Sequence, residues 1–167
     1  MADSAKSSLM NNSAGILSKD ACVVLVKTEW NSAIADALEA GAIRVLTEQG
    51  ITHIIQLTVP GAVEIPFAIR ACWKNASKEL RPDAFIAIGA VIKGGTPHFE
   101  YVCQIVSEGV LALNLKLPVP TIFAVLTLDN EEQAWERLGG KQGHKGEEAA
   151  ITAVKMIALN RSLKKGS

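Results

Sequence analysis

Two hydrophobic periods alternate along this chain. Compact apolar runs of strand length are each followed by a longer stretch in which apolar residues recur every third or fourth position. Ala21–Lys27, Ala84–Ile92 and Thr121–Leu128 are apolar at successive positions and rich in β-branched residues, so each predicts a buried strand. His53–Val59 alternates weakly and predicts a further strand. Ile34, Ala37, Leu38, Ala42, Val45 and Leu46 mark a first helix face, opened at Asn31 or Ser32 and stopped by Gly50. Ile65, Ile69, Cys72 and Ala76 mark a second, with Pro66 in its first turn, running to about Leu80. Phe99, Val102, Cys103, Val106, Val110, Leu113 and Leu117 mark a third, ended by Pro118. A short helix opens at Asp129 or Asn130, with Glu132 or Gln133 placed for a capping box, and runs through Leu138. Gly139–Gly146 predicts a loop, and Ala150, Ile151, Val154, Ile157 and Ala158 mark the last helix.

Strand and helix alternate throughout, and the strands are apolar on both faces. That combination implies an α/β three-layer sandwich, with a central four-stranded parallel sheet and helices on both faces. No repeat or low-complexity linker divides the chain. A single domain is therefore expected over residues 16–163, between a Ser/Asn/Ala-rich arm, 1–15, and a short tail, 164–167.

Composition narrows the class. Lys+Arg and Asp+Glu each number 17, so the basic excess of a nucleic-acid binder is missing. The 3 cysteines, Cys22, Cys72 and Cys103, lie in apolar periodic segments without CxxC spacing, which predicts buried, reduced thiols and a cytoplasmic setting. Residues 1–15 lack the apolar core of a secretory signal, and no apolar stretch reaches the length of a membrane span. His53, His98 and His144 show no paired spacing with carboxylates, so no metal is expected.

Candidate chemistry collects where the strands end, the edge at which open parallel sheets bind ligands. The third strand runs into Lys93-Gly94-Gly95-Thr96-Pro97-His98 and then a helix. A glycine-rich turn opening a helix turns backbone N–H groups toward an anion, and a histidine beside it can move a proton near neutral pH. The turn matches neither the Walker nor the dinucleotide pattern. The first strand ends in Glu29-Trp30-Asn31, where the indole can stack on a heteroaromatic ring or pack a helix onto the sheet. The second ends in Pro60-Gly61-Ala62-Val63-Glu64, where the carboxylate suits sugar-like hydroxyls or the helix dipole. Arg137 and Lys145 bracket the second glycine-rich loop. Arg137 suits a bidentate phosphate contact, and both also suit solvated surface charge. Lys141 and His144 read as surface residues, and Trp73 and Trp135 as structural ones.

In order and spacing, these motifs resemble the lumazine synthase family. The matching segments are Trp30-Asn31, Thr58–Pro66, Ile88–Phe99, Pro120–Thr127 with Gln133-Ala134 and Arg137, and Gly143–Glu147, and the likeness runs from Lys19 to Arg161. The resemblance implies a flavodoxin-like fold and a cofactor-independent transferase of riboflavin biosynthesis. Such an enzyme condenses 5-amino-6-(D-ribitylamino)uracil with 3,4-dihydroxy-2-butanone 4-phosphate, giving 6,7-dimethyl-8-ribityllumazine, phosphate and water. By the same likeness Trp30 stacks on the pyrimidine, and Asn31 and Glu64 lie beside the ribityl chain. Gly61, Ala62, Val63, Val91, Ile92 and Lys93 line the substrate. Gly94, Gly95 and Thr96 form the phosphate turn. His98 is the general acid/base. Phe123, Arg137 and Lys145 come from a neighbouring subunit, with Arg137 on phosphate and, like Lys145, in the catalytic set. The chain departs from the family pattern at Trp30, where Phe is common, and at Val63, where a bulkier aromatic is common. The wider indole implies that riboflavin also binds.

The resemblance further implies a homo-pentamer with shared sites. The short Gly139–Gly146 loop is similar to that of members whose twelve pentamers close into an icosahedral shell, with riboflavin synthase as a partner. Residues near Gly15–Ser18 are suited to adding a strand to a neighbour's sheet. Competing readings are a flavin-binding carrier of the same fold, a shell protein with a decayed site, and a phosphosugar isomerase.

Overall fold

A computed structural model describes residues 20–165. Four strands, β1 (Cys22–Thr28), β2 (His53–Val59), β3 (Ala84–Ile92) and β4 (Thr121–Leu128), form one parallel sheet in the order β2-β1-β3-β4. Helices α1 (Ser32–Glu48) and α5 (Lys145–Lys165) pack on one face, and α2 (Ile65–Asn75) and α3 (His98–Lys116) on the other. This explains the two-faced strands. Val23, Leu25, Ile86 and Ile88 face the α1/α5 layer, while Val24, Val26, Phe85 and Ala87 face the α2/α3 layer. Each fully buried side chain of Val, Leu, Ile or Phe size contributes about 1.5–3 kcal/mol relative to exposure. β2, at the sheet edge, is only half-buried, in keeping with its weak alternation.

Small residues set how closely the helices approach. A Cβ on Gly109 of α3 would lie 2.4 Å from Cγ of Pro66 in α2. A Cβ on Gly146 of α5 would lie 2.0 Å from the Leu38 carbonyl oxygen of α1, a backbone contact with no room to give. The ring of His144 occupies the space beside Gly41 of α1, and its Nδ1 accepts from the Glu147 amide at 3.4 Å. His144 is thus a half-buried packing residue and not the surface residue expected.

Four elements differ from the sequence reading. The short helix expected through Leu138 stops at Glu136, and Leu138 opens a strand instead. α2 stops at Asn75, short of Leu80. Its apolar stripe ends at Ala76, which is extended, and the Ser77 hydroxyl accepts from the Leu80 amide. The expected loop over 139–146 contains a small antiparallel hairpin, β5 (Leu138–Gly140) with β6 (Gly143–His144). Gly139 at φ 110° and Gly143 at φ 74° occupy backbone conformations that other residues rarely adopt. The last helix starts at Lys145, before its first fully apolar turn.

One helix start follows its capping residue. The short helix α4 (Glu131–Glu136) is capped by Asn130, whose Oδ1 accepts from the Gln133 amide. The Gln133 Oε1 in turn accepts from the Asp129 amide. At the far end of the sheet, the Asn114 side chain bonds both backbone groups of Thr121. It accepts from the amide and donates to the carbonyl, each at 2.8 Å. Cys22 is buried, Cys72 and Cys103 are half-buried, and all are free thiols. Trp73 is half-buried, with the Arg81 guanidinium 4.4 Å above its ring. Trp135 is largely exposed on α4, its indole N–H donating to Glu131, so it contributes little to the core.

Candidate active site

The carboxyl ends of β1, β2 and β3 open into a cleft of about 510 Å³. Its first wall grows from β1. Beyond the strand, the Glu29 amide still bonds the Val59 carbonyl at 2.8 Å and the Trp30 amide bonds the Pro60 carbonyl at 3.2 Å. The chain then turns at Asn31, whose φ of 56° is left-handed, a conformation that Asn tolerates better than most residues. Its side chain does not cap α1. Nδ2 donates across to the Ala90 carbonyl of β3 at 2.9 Å. The turn therefore holds Trp30 at the cleft mouth with 73% of its surface exposed, so its indole is a flat apolar face and not the core packing residue of the alternative reading.

The second wall follows β2. Pro60-Gly61 breaks the strand, a 3-10 turn forms over Ala62–Glu64, and Pro66 enters α2 at its first turn. The Glu64 carboxylate is exposed and folds back over Gly61, with Oε2 3.1 Å from where a Cβ on that glycine would stand. Ala90, Val91 and Ile92 of β3 contribute the third side, and the Lys93 amide closes onto the Leu128 carbonyl at 2.8 Å. His98, the first residue of α3, faces the same cleft, joined one turn later by Val102.

The glycine-rich turn before His98 is exposed along Lys93–Pro97. No side chain caps α3, whose N-cap position is Pro97. Neither Gly94 nor Gly95 has a positive φ, and a Cβ on either would meet no protein atom within 4 Å. Glycine here clears space beside the helix start and is not needed to bend the backbone. An uncapped helix N-terminus with open flanks is a favourable place for an anion.

The expected site residues fall into two groups within one chain. Trp30, Asn31, Gly61, Ala62, Val63, Glu64, Val91, Ile92 and His98 line the cleft. Lys93, Gly94, Gly95 and Thr96 form the adjoining turn. Phe123 and Lys145 instead line a separate hollow of about 400 Å³ against the edge strand β4, with Glu148 and Thr152. There the Lys145 ammonium donates to both carboxylate oxygens of Glu148 at 2.9 Å. The Arg137 guanidinium donates to the Gln133 carbonyl at 2.9 Å, with Glu136 3.9 Å away. Sequence reasoning left Val102 out of the cleft, although it lies one helical turn beyond His98 and so on the same face.

A cleft of substrate size at the carboxyl edge of a parallel sheet, where an open aromatic face, a carboxylate and an imidazole meet, defines a small-molecule enzyme of the α/β class. The sequence profile of the 6,7-dimethyl-8-ribityllumazine synthase family matches residues 20–161. Relatives bearing that name include the protein of Cytophaga hutchinsonii, 48% identical over 136 residues, which cover 80% of this chain and 83% of the relative. That of Porphyromonas gingivalis is 45% identical over 86% of this chain and 88% of its own length. That of Bacteroides fragilis is 45% identical over 84% of this chain and 97% of its own length. The chain belongs to the 6,7-dimethyl-8-ribityllumazine synthase family.

Proposed function

We propose that this chain condenses 5-amino-6-(D-ribitylamino)uracil with 3,4-dihydroxy-2-butanone 4-phosphate to 6,7-dimethyl-8-ribityllumazine, as a cofactor-independent transferase of riboflavin biosynthesis. The observation that carries this reading is the convergence of Trp30, Glu64 and His98 on one cleft beside an uncapped helix start. The pyrimidine stacks on the Trp30 indole, and its ribityl hydroxyls reach Glu64 and Asn31. The phosphate of the second substrate rests on Gly94, Gly95, Thr96 and the α3 N-terminus. The pyrimidine amine adds to the ketone and water leaves as the imine forms. Phosphate is then eliminated, and the ribityl-bearing nitrogen closes the ring with loss of a second water. Each stage moves a proton, and His98 stands where it can take and return one. Holding two substrates together supplies up to about 7–11 kcal/mol of the barrier lowering.

The remaining members of the set, Phe123, Arg137 and Lys145, act in this reading on a neighbouring subunit's cleft, within a homo-pentamer. The position of Phe123 and Lys145 in a separate hollow on the edge strand supports this, as do the exposed apolar side chains Phe67, Tyr101, Ile105, Leu111 and Leu115 on α2 and α3. Closure of pentamers into an icosahedral shell, association with riboflavin synthase, riboflavin binding at Trp30 and a cytoplasmic setting belong to the same proposal. The strand-adding segment near Gly15–Ser18 lies outside the described residues.

Mixing both substrates with the purified protein tests the reaction, and the lumazine chromophore is the expected product. Absence of chromophore from correctly assembled protein overturns it. Light scattering separates shell from free pentamer.

A further inference from the structure

The Trp30 indole is mostly in water, so packing does little to hold it, and the backbone beneath it sets the point from which it projects. That backbone is tied at successive residues to different strands. The Trp30 amide bonds the Pro60 carbonyl after β2, and the Asn31 side chain bonds the Ala90 carbonyl of β3. The remaining tie comes from β1 itself. Thr28, only 1% exposed, donates its hydroxyl to the Trp30 carbonyl at 3.0 Å. Its side chain fits there because Gly89 of β3 has no Cβ. One at that position would lie 2.9 Å from Thr28 Cγ2 and 3.0 Å from Oγ1.

We propose that Thr28 is a positioning residue for the pyrimidine: seated in the space left by Gly89, its hydroxyl fixes the Trp30 carbonyl and thereby the backbone from which the indole projects into the cleft mouth. This rests on the assignment of Trp30 as the stacking face. Thr28 touches no substrate. It sets the aim of a side chain that does, because an aromatic platform a fraction of an ångström out of place loses much of its contact.

The test compares Thr28→Val, which keeps shape and removes the donor, with Thr28→Ser, which keeps the donor. In Thr28→Val, KM for the aminopyrimidine rises about fivefold, the size of one modest hydrogen bond, while kcat and KM for the butanone phosphate stay within about twofold. Thr28→Ser returns KM to the parent value. Amide hydrogen exchange at Trp30 gives a readout independent of turnover. It accelerates about fivefold in Thr28→Val and is restored in Thr28→Ser. An unchanged KM in Thr28→Val, or equal losses for both substrates with no rescue by Ser, overturns the proposal. If the parent protein forms no lumazine, the functional reading fails, and exchange at Trp30 alone decides whether Thr28 braces the turn. Unchanged exchange refutes the brace.

Discussion

The Lys145 amide donates to the Arg137 carbonyl at 2.8 Å, so the two cationic residues flanking the β5–β6 hairpin are fixed to each other through the backbone. Neither reaches the cleft that holds His98 in the same chain. A pair tied this way is anchored to the start of α5, and its placement depends on how α5 meets α1.

That dependence makes Gly146→Ala a damaging substitution despite its small size. The added methyl meets the Leu38 carbonyl oxygen at 2.0 Å, and backbone cannot swing aside as a side chain does. A loss of about 3 kcal/mol is expected, read as a lower urea midpoint at unchanged slope. A midpoint equal to the parent's would mean that the helices part without cost.

The proposed sharing of sites between subunits predicts complementation. His98→Ala lacks the proposed proton carrier in the cleft, and Arg137→Ala lacks the proposed phosphate contact on the neighbour. Co-refolding the two low-activity variants should give mixed oligomers with clearly more lumazine formation than either alone. Activity no greater than the sum of the separate variants would place both residues in one subunit's site.

His98→Ala alone should slow turnover by about 100-fold without abolishing it, because orientation of the substrates survives the loss of the imidazole. Single-turnover kinetics on assembled protein checks this. A complete loss would give the histidine a larger part than proton transfer.

Alkaline pH should destabilise the fold. Burial pushes the thiols of Cys22, Cys72 and Cys103 up, and the side-chain bonds to Asp36 and Glu39 raise Lys27. In each case the folded chain holds a proton that the unfolded chain releases first. Stability is therefore intact below the ordinary thiol value of 9.0 and declines as pH rises beyond it. Thermal midpoints should hold from pH 8 to about 9 and fall from there to pH 11, and a flat profile would contradict the assignment. Alkylation of the native thiols at pH 8 should likewise be slower than in denaturant.

Much of this architecture was legible in the sequence, because strands buried on both faces write themselves as unbroken apolar runs. Val23 and Val24 point to opposite helix layers, yet both must be apolar. The cleft was legible at Trp30, Glu64 and His98 because each stands beside a break in periodicity. What stayed hidden depends on contacts remote in sequence. Asn31 looks like a cap, but its amide is drawn off by Ala90, 59 residues away. His144 looks like a polar loop residue, but Gly41 opens a place for its ring. The β5–β6 hairpin has too few residues to show a strand period, and its glycines read only as a loop.

One detail at the opposite end of the sheet governs how this molecule can meet another. Because Asn114 answers both backbone groups of Thr121, the outermost rung of β4 is already filled from within. Alternation along a parallel strand turns Phe123, Val125 and Thr127 toward that same outer side. The fold thus carries its own ruler: with the Thr121 rung occupied, the outward-facing backbone groups open to a visiting segment start at Phe123.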